Sequence, residues 1–276
     1  MHNLANLPDV LLFRELATGL ELVQESAAEL VEHSRILAEA QGQRGAWILD
    51  VLGTEEAAKF LILLDAVRCP RKDPAMLSKH LEKFYGHLAK LIYARACARR
   101  VNSFGELRKY IEDASASHYL DGPSGTDWIY RNQLIDEREG SIYVDYVEVD
   151  SEYKWCPPAS YSDPADVFFR PTWGAVQLIT ALYRLGATST SGLEAIARRW
   201  RPVRVSDDLG VGALRQLNWD TARELASWQA PAEDIELACR NVAEHWPFPM
   251  YGIKVNTIDV DLNDLEGQRF RGTYWE

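Results

Sequence analysis

Nothing in this 276-residue sequence approaches the roughly 18 uncharged apolar residues that a membrane-spanning helix needs. The longest apolar stretch, Phe60 to Val67, is interrupted by Asp65. The start, Met1 to Arg14, has no basic segment leading into an apolar stretch and a small-residue cleavage site, so export is not expected. Cysteine is scarce: Cys69, Cys97, Cys156 and Cys239 stand far apart with no CxxC spacing. That argues against a zinc knuckle and against a disulfide framework, and it points to reduced thiols in a cytoplasm. The phosphate-cradling patterns GxxxxGK and GxGxxG are absent, as are GxSxG and HExxH. A di-iron bundle would need Glu-x-x-His on two helices, and Glu29 with His33 at a four-residue step, or Glu55 beside Glu56, does not supply it. No metal and no cofactor are expected. There is no repeat period and no low-complexity run.

What is present is the composition of a folded chain, 47% hydrophobic and 26% charged. The length suits two tightly associated parts. A net charge of −11 disfavours a nucleic-acid binder with a wholly basic surface, but the average hides an asymmetry. Between Lys59 and Lys109 there are 12 Lys/Arg against 4 Asp/Glu, a local surplus of 8 that leaves −19 for the remainder.

The apolar periodicity predicts a mostly α protein. A short helix over Asn6–Thr18 is followed by an amphipathic one over Glu21–Ala40, with a turn at 41–45. A third helix runs from Ala46 to about Arg68. A fourth spans Pro74–Arg100, with proline in its first turn. A fifth, to Ala116, is capped by Ser103 with Glu106 three positions on. The second to fifth helices form an antiparallel bundle, and residues 1–118 are taken as the first part. The turn-rich stretch Tyr119–Trp128 marks the boundary to the second part, residues 119–276. This second part is expected to be α-rich, with a short helix over Trp128–Glu139 and a small β-hairpin near 141–155. Further helices are expected over Asp166–Leu185, Gly192–Trp200, Asp207–Leu217, Thr221–Trp228 and Ala232–Trp246, with one edge strand in the tail from Val255 to Leu262. Eight of the nine tryptophans fall after residue 120 and are read as core and interface material before a base-stacking platform.

The candidate chemistry lies in two places. Glu55, Glu56 and Lys59 sit inside the apolar third helix, where Lys59 is within helical reach of both acids. His80, Lys83, His87 and Lys90 recur at steps of 3, 4 and 3 along the fourth helix, so one face of a continuous helix would carry all of them. A short loop makes the two helices antiparallel neighbours, with the acids facing the His/Lys row. One reading is an internal ion network that fixes helix register. The other is a binding or catalytic site, favoured by histidines beside carboxylates.

The order Glu-Glu-x-x-Lys at 55–59, then His-x-x-Lys at 80–83 opening a basic helix, resembles the AbiV family of phage abortive-infection proteins, whose domain is similar to the helical HEPN superfamily. The resemblance covers roughly residues 15–115. It implies a HEPN-like bundle, a role in aborting phage infection by blocking translation or touching RNA, and a homodimer. The engaged species would be a phage protein, a host partner or RNA, the last through the basic 59–109 segment. A second feature, Arg240-Asn241-Val242-Ala243-Glu244-His245, is similar to the R-x4-6-H motif of HEPN ribonucleases, which implies a metal-independent ribonuclease using Arg240 and His245. It lies outside the bundle that carries the resemblance. The sequence leaves open whether the chain is an enzyme or a non-catalytic structural interaction module.

Overall fold

The computed structural model describes residues 1–116, 118–121, 127–130, 132–149, 152–158, 174–230 and 232–258. The protein is mostly α-helical. After a one-turn helix α1 (His2–Ala5), α2 (Asp9–Glu39) and α3 (Gln43–Arg68) pack along each other as a long hairpin. The expected break near Thr18 does not occur. Leu12, Phe13, Leu16, Leu20 and Ala27 form one continuous buried stripe, and Gly19 sits within it. A helical glycine costs about 1 kcal/mol, while each large buried side chain contributes roughly 1.5–3 kcal/mol, so the stripe wins. The chain reverses where Gln41 takes a φ of 61° and the Gly42 N–H donates to the Leu37 carbonyl at 2.8 Å. A Cβ at Gly53 would lie 2.9 Å from Val31 Cγ2, so the missing side chain is what allows α2 and α3 to approach this closely.

α3 is the central helix. From Ala57 to Arg68 all its residues except Lys59 are buried. Around it stand α4 (Pro74–Glu82), α5 (His87–Ala96), α7 (Gln133–Ile142), α8 (Ala175–Arg184) and α9 (Thr190–Trp200), with α6 (Phe104–Ser115) against α5. Ser103 caps α6 as expected, its Oγ accepting from Glu106 N at 3.3 Å, but the Glu106 carboxylate accepts from Asn102 N rather than from the cap residue. α10 (Val211–Ala226) and α11 (Glu233–His245) form an antiparallel pair that reaches the core through α8 and α9. α10 replaces the two helices expected over 207–228. Leu214, Asn218, Thr221, Ala222 and Leu225 are buried along one continuous face, so Asn218 and Asp220 do not interrupt it.

Two β-hairpins complete the description: β1 (His118–Asp121) with β2 (Asp127–Tyr130), and β3 (Asp145–Val149) with β4 (Glu152–Cys156), both antiparallel. The second is the hairpin predicted near 141–155. The first takes up part of the stretch expected to be turn and helix, so α7 begins at Gln133 rather than Trp128. Of the helix expected over 166–185, residues 166–173 lie outside the described residues. So does the tail beyond 258, where Ile258 makes only an isolated parallel bridge to Ala116.

The predicted helix over 74–100 is interrupted. α4 tightens into a 3₁₀ turn at Lys83–Tyr85, Gly86 is extended (φ −81°, ψ 121°), and α5 restarts at His87. Side chains on either side of the break point to different partners. His80 Nε2 lies 2.7 Å from the Ile62 carbonyl and Lys83 Nζ donates to the Met250 carbonyl at 2.7 Å, whereas His87 and Lys90 turn to Glu55. The four side chains therefore do not share one face.

The C-terminal stretch from Trp246 to Met250 is threaded into the bundle and anchored on Asp65, which is fully buried in α3. Asp65 Oδ2 accepts from Tyr93 Oη at 2.6 Å and from Met250 N at 2.7 Å, and Oδ1 accepts from Arg68 Nε at 2.8 Å. Arg68 also donates to the Pro247 carbonyl at 3.0 Å, and its guanidinium lies 4.8 Å and 4.5 Å from ring centres of Trp200 and Trp246. Every strong donor around this carboxylate is thus a group that would otherwise be buried alone.

Replacing Asp65 with alanine should therefore cost about 3–5 kcal/mol, the usual penalty for leaving one partner of a buried ion pair uncompensated. Arg68→Met, which leaves the Asp65 carboxylate buried without its cation, should cost a similar amount, whereas Asp65→Ala/Arg68→Met together, which remove both charges, should cost less than the sum of the two. Urea denaturation at neutral pH reads all three. Strictly additive losses would mean that the ion pair itself is not what anchors the strap.

Candidate functional site

Ten residues before Asp65, about 15 Å along the helix axis, α3 carries a second carboxylate hub. Glu55 is buried, its side chain 3% exposed, yet Lys90, His87 and Arg138 all meet on it. Lys90 Nζ lies 2.5 Å from Oε2, His87 Nδ1 lies 2.9 Å from the same oxygen, and Arg138 Nε donates to Oε1 at 2.5 Å. α5 brings His87 and Lys90 one turn apart, and α7 brings Arg138. α7 is seated by Asn132, whose side chain caps Ile135 N and donates to the Ala114 carbonyl at 2.8 Å, and by Arg44, which donates to the Ile142 carbonyl at 2.9 Å. Burial pushes the Glu55 carboxyl up, but the hydrogen bonds from Lys90, Arg138 and His87 outweigh it and hold the group below its usual range.

The chemistry follows from which atoms remain available. Both Glu55 oxygens are occupied by charge-assisted donors, so this carboxylate is a poor proton acceptor and acts as a fixed anchor. Lys90 and Arg138 are largely covered, with side chains 7% and 10% exposed, while His87 is 49% exposed. The Arg138 terminal nitrogens make no further hydrogen bond among the described residues. With two permanent cations on one carboxylate the cluster is net positive. Its accessible part is the half-exposed His87 imidazole, which suits an anionic or hydrogen-bonding group.

The other sequence-predicted residues are distributed as follows. Glu56 and Lys59 pair with each other at 2.5 Å on the half-buried side of α3, with Lys59 Nζ 5.2 Å from the Phe84 ring centre; neither joins Glu55. His80 and Lys83 belong to the Asp65 end of the bundle. Burial, then the nearby Lys83 charge, lower the His80 pKa to about 4, and its Nδ1 has no hydrogen-bond partner, so the ring is neutral with Nε2–H donating to Ile62. Burial likewise lowers Lys83 to about 8. Arg240 and His245 diverge, since five residues on a helix amount to about 140° around its axis. Arg240 is exposed beside Glu236 of its own helix at 3.6 Å, while His245 turns inward and hydrogen-bonds the Cys97 backbone. No group of three or more metal-binding side chains occurs among the described residues.

Two contributors escaped the sequence reading. Arg138 lies 83 positions from Glu55, and no local spacing signals it. Asp65 did leave a signal, a lone acid in an apolar run with Arg68 three residues on, but it was read only as an interruption.

Because the native His80 stays neutral down to about pH 4 while an unfolded chain protonates near 6.5, the unfolded state binds the extra proton in between. Stability contributed by the neutral ring is complete above pH 6.5 and is lost as pH falls toward 4, at up to about 1.4 kcal/mol per pH unit. His80→Gln, which keeps an N–H near the Ile62 carbonyl, should be less stable at pH 7 yet lose less between pH 7 and 5 than the parent. Urea midpoints at the two pH values measure this, and an identical loss in both proteins refutes it.

Among the described residues no helix is long and apolar enough to cross a membrane. No curated protein and no solved structure matches the chain. A family profile described as AbiV, of the HEPN group, matches residues 15–170, a span that contains α3 with Glu55 and Asp65, and also His87, Lys90 and Arg138. That is 156 of the 276 residues, more than half, and this chain belongs to the AbiV family.

Proposed function

We propose that this AbiV-family chain is an antiphage abortive-infection protein that engages a phage or host partner or RNA and interferes with translation. Family membership suggests the defence role. The observation that supports the mode of action is the Glu55 hub, where one buried acid of the Glu-Glu-x-x-Lys motif holds Lys90, Arg138 and the half-exposed His87. In this reading Glu55 positions, and His87, Lys90 and Arg138 bind. Glu56 with Lys59 and the His80/Lys83 pair keep α3 and the 3₁₀ turn in place. A homodimer in the cytoplasm is the assembly and setting we adopt.

The hub reading has a direct test. Losing one charge-assisted hydrogen bond to a ligand costs about 1.5–3 kcal/mol, roughly ten- to a hundredfold in affinity. His87→Ala, at the half-exposed position, and Arg138→Gln should therefore restore plaque formation on expressing cells while their thermal unfolding stays near that of the parent. Full restriction by both folded variants would remove the hub from the mechanism.

The ribonuclease alternative rests on Arg240 and His245, whose side chains make separate contacts in this fold. Incubation of the purified protein with labelled total RNA separates the readings. We expect no cleavage that depends on either residue. Cleavage abolished by both Arg240→Ala and His245→Ala would establish the enzyme instead.

A further inference from the structure

His87 differs from the other histidines in how its ring is held. Of the six in the chain, His80 is fully buried and His245 is half-buried against the Cys97 backbone, while His33 is exposed on α2 and makes no hydrogen bond among the described residues. His87 alone of these is both exposed and backed by a buried carboxylate. Its Nδ1 lies 2.9 Å from a Glu55 oxygen, and that carboxylate, already bound by Lys90 and Arg138, can only accept. Nδ1 is therefore the donor. In the neutral ring the single proton sits there, which leaves the lone pair on Nε2. No described residue hydrogen-bonds Nε2.

A carboxylate behind Nδ1 does two things for a reacting imidazole. It fixes the tautomer and the direction of the ring, and it stabilises the positive charge that the ring acquires when Nε2 forms a bond. The charge around the ring then selects the electrophile. Lys90 and Arg138 place two permanent positive charges on one carboxylate, and His87 is the first residue of α5, where the positive end of the helix dipole lies. Protonated Lys90 and Arg138 have no lone pair to compete with Nε2. An anionic electrophile is drawn to such a cluster and a neutral one is not. Phosphoryl groups combine an electrophilic centre with anionic oxygens.

We propose that His87 is a phosphoryl-acceptor site, taking the phosphoryl group on Nε2 from a small phosphoramidate or acyl phosphate. The Nε2 lone pair forms the bond to phosphorus as the donor's bond from phosphorus to nitrogen or oxygen breaks, and the amine or carboxylate leaves with that bonding pair. No proton has to leave Nε2, because the tautomer keeps it on Nδ1. The ring becomes cationic and is held by Glu55, while the new anionic oxygens lie in the field of Lys90 and Arg138. This inference rests on the hub reading of the proposed function and adds its regulation. A phosphoryl group brings about two negative charges to a cluster that is net positive, so it would release an anionic partner.

Potassium phosphoramidate at neutral pH, applied to the full chain, tests the proposal, with occupancy at His87 and His33 read by mass spectrometry in the same sample. His87 should react roughly tenfold faster than His33, the scale of effect that a carboxylate has on an imidazole it orients. Phosphorus NMR should place the group on Nε2. Diethyl pyrocarbonate, an uncharged acylating reagent, reports the ring orientation alone, so its preference for His87 over His33 should be smaller than that of phosphoramidate. Arg138→Gln should bring the two preferences closer together. Unfolding the parent chain in urea should abolish both, a control that needs no variant. The proposal is overturned if His87 reacts no faster than His33 in the folded chain, if the uncharged reagent shows the same preference as phosphoramidate, if the phosphate sits on Nδ1, or if the preference survives unfolding. Reactivity is measured on purified protein without phage, and the plaque test needs no phosphoryl donor, so each can fail without the other.

Discussion

The carboxylate of Asp65 is the constraint on which the molecule turns. A buried charge in a helix interior is tolerated only when its partners satisfy it completely, and Asp65 recruits them from three places. Arg68 comes from its own helix, Tyr93 from α5 and Met250 N from a strap almost 200 residues away. Once Arg68 is drawn in, its guanidinium needs aromatic faces and further acceptors, which Trp200, Trp246 and the Pro247 carbonyl supply. One buried acid thereby determines where the C-terminal helices meet the N-terminal ones. Apolar packing could join the same elements with greater stability, but a single carboxylate with directional partners allows few other registers.

Glu55 and Asp65 lie on one helix and are both buried, yet they do different things. Around Asp65 the donors are buried with the acid, and the network closes on itself. Around Glu55 two of the donors, Lys90 and Arg138, are covered as well, but the third, His87, is half exposed and opens the network to the surface. The break at Lys83–Gly86 creates this distinction. A continuous helix from 74 to 100 would have aligned all four His/Lys residues against one acid. The interrupted chain sends His80 and Lys83 down to the strap and returns His87 and Lys90 to Glu55.

The sequence showed those features that depend on local spacing. The apolar third helix, the Ser103 cap, the second hairpin and the helices ending at Trp200 and near Trp246 follow from periodicity and capping residues, which act within a few positions. Helix joins and breaks were misread because tertiary burial overrides propensity. Gly19 is carried through α2 by its buried stripe, while Gly86 interrupts a pattern that looks periodic on both sides. The site was half legible for the same reason. Glu55, His87 and Lys90 sit at helical spacings that can be counted, whereas Arg138 arrives from α7 and leaves no mark in the sequence around Glu55. The Arg240–His245 motif shows the converse, since a correct spacing along a helix says nothing about which direction each side chain takes.

Charge counting is where fold and function meet. The local surplus between Lys59 and Lys109 looks from sequence like a surface for a polyanion, but most of those cations neutralise acids or carbonyls within the fold. Arg68, Arg71 and Lys90 each bind groups on other segments, so much of the basic character serves to hold an acidic chain together. Only cations left over after that bookkeeping can attract a ligand without first breaking the structure. They are Lys72, Lys79, Arg99, Arg100 and Lys109, all exposed and without a carboxylate partner among the described residues. A long-range field from the whole segment would be offset by the −19 carried elsewhere and screened within about 8–10 Å at physiological salt. Recognition of an anion by this protein must therefore be local, decided by a few side chains at contact distance rather than by net charge.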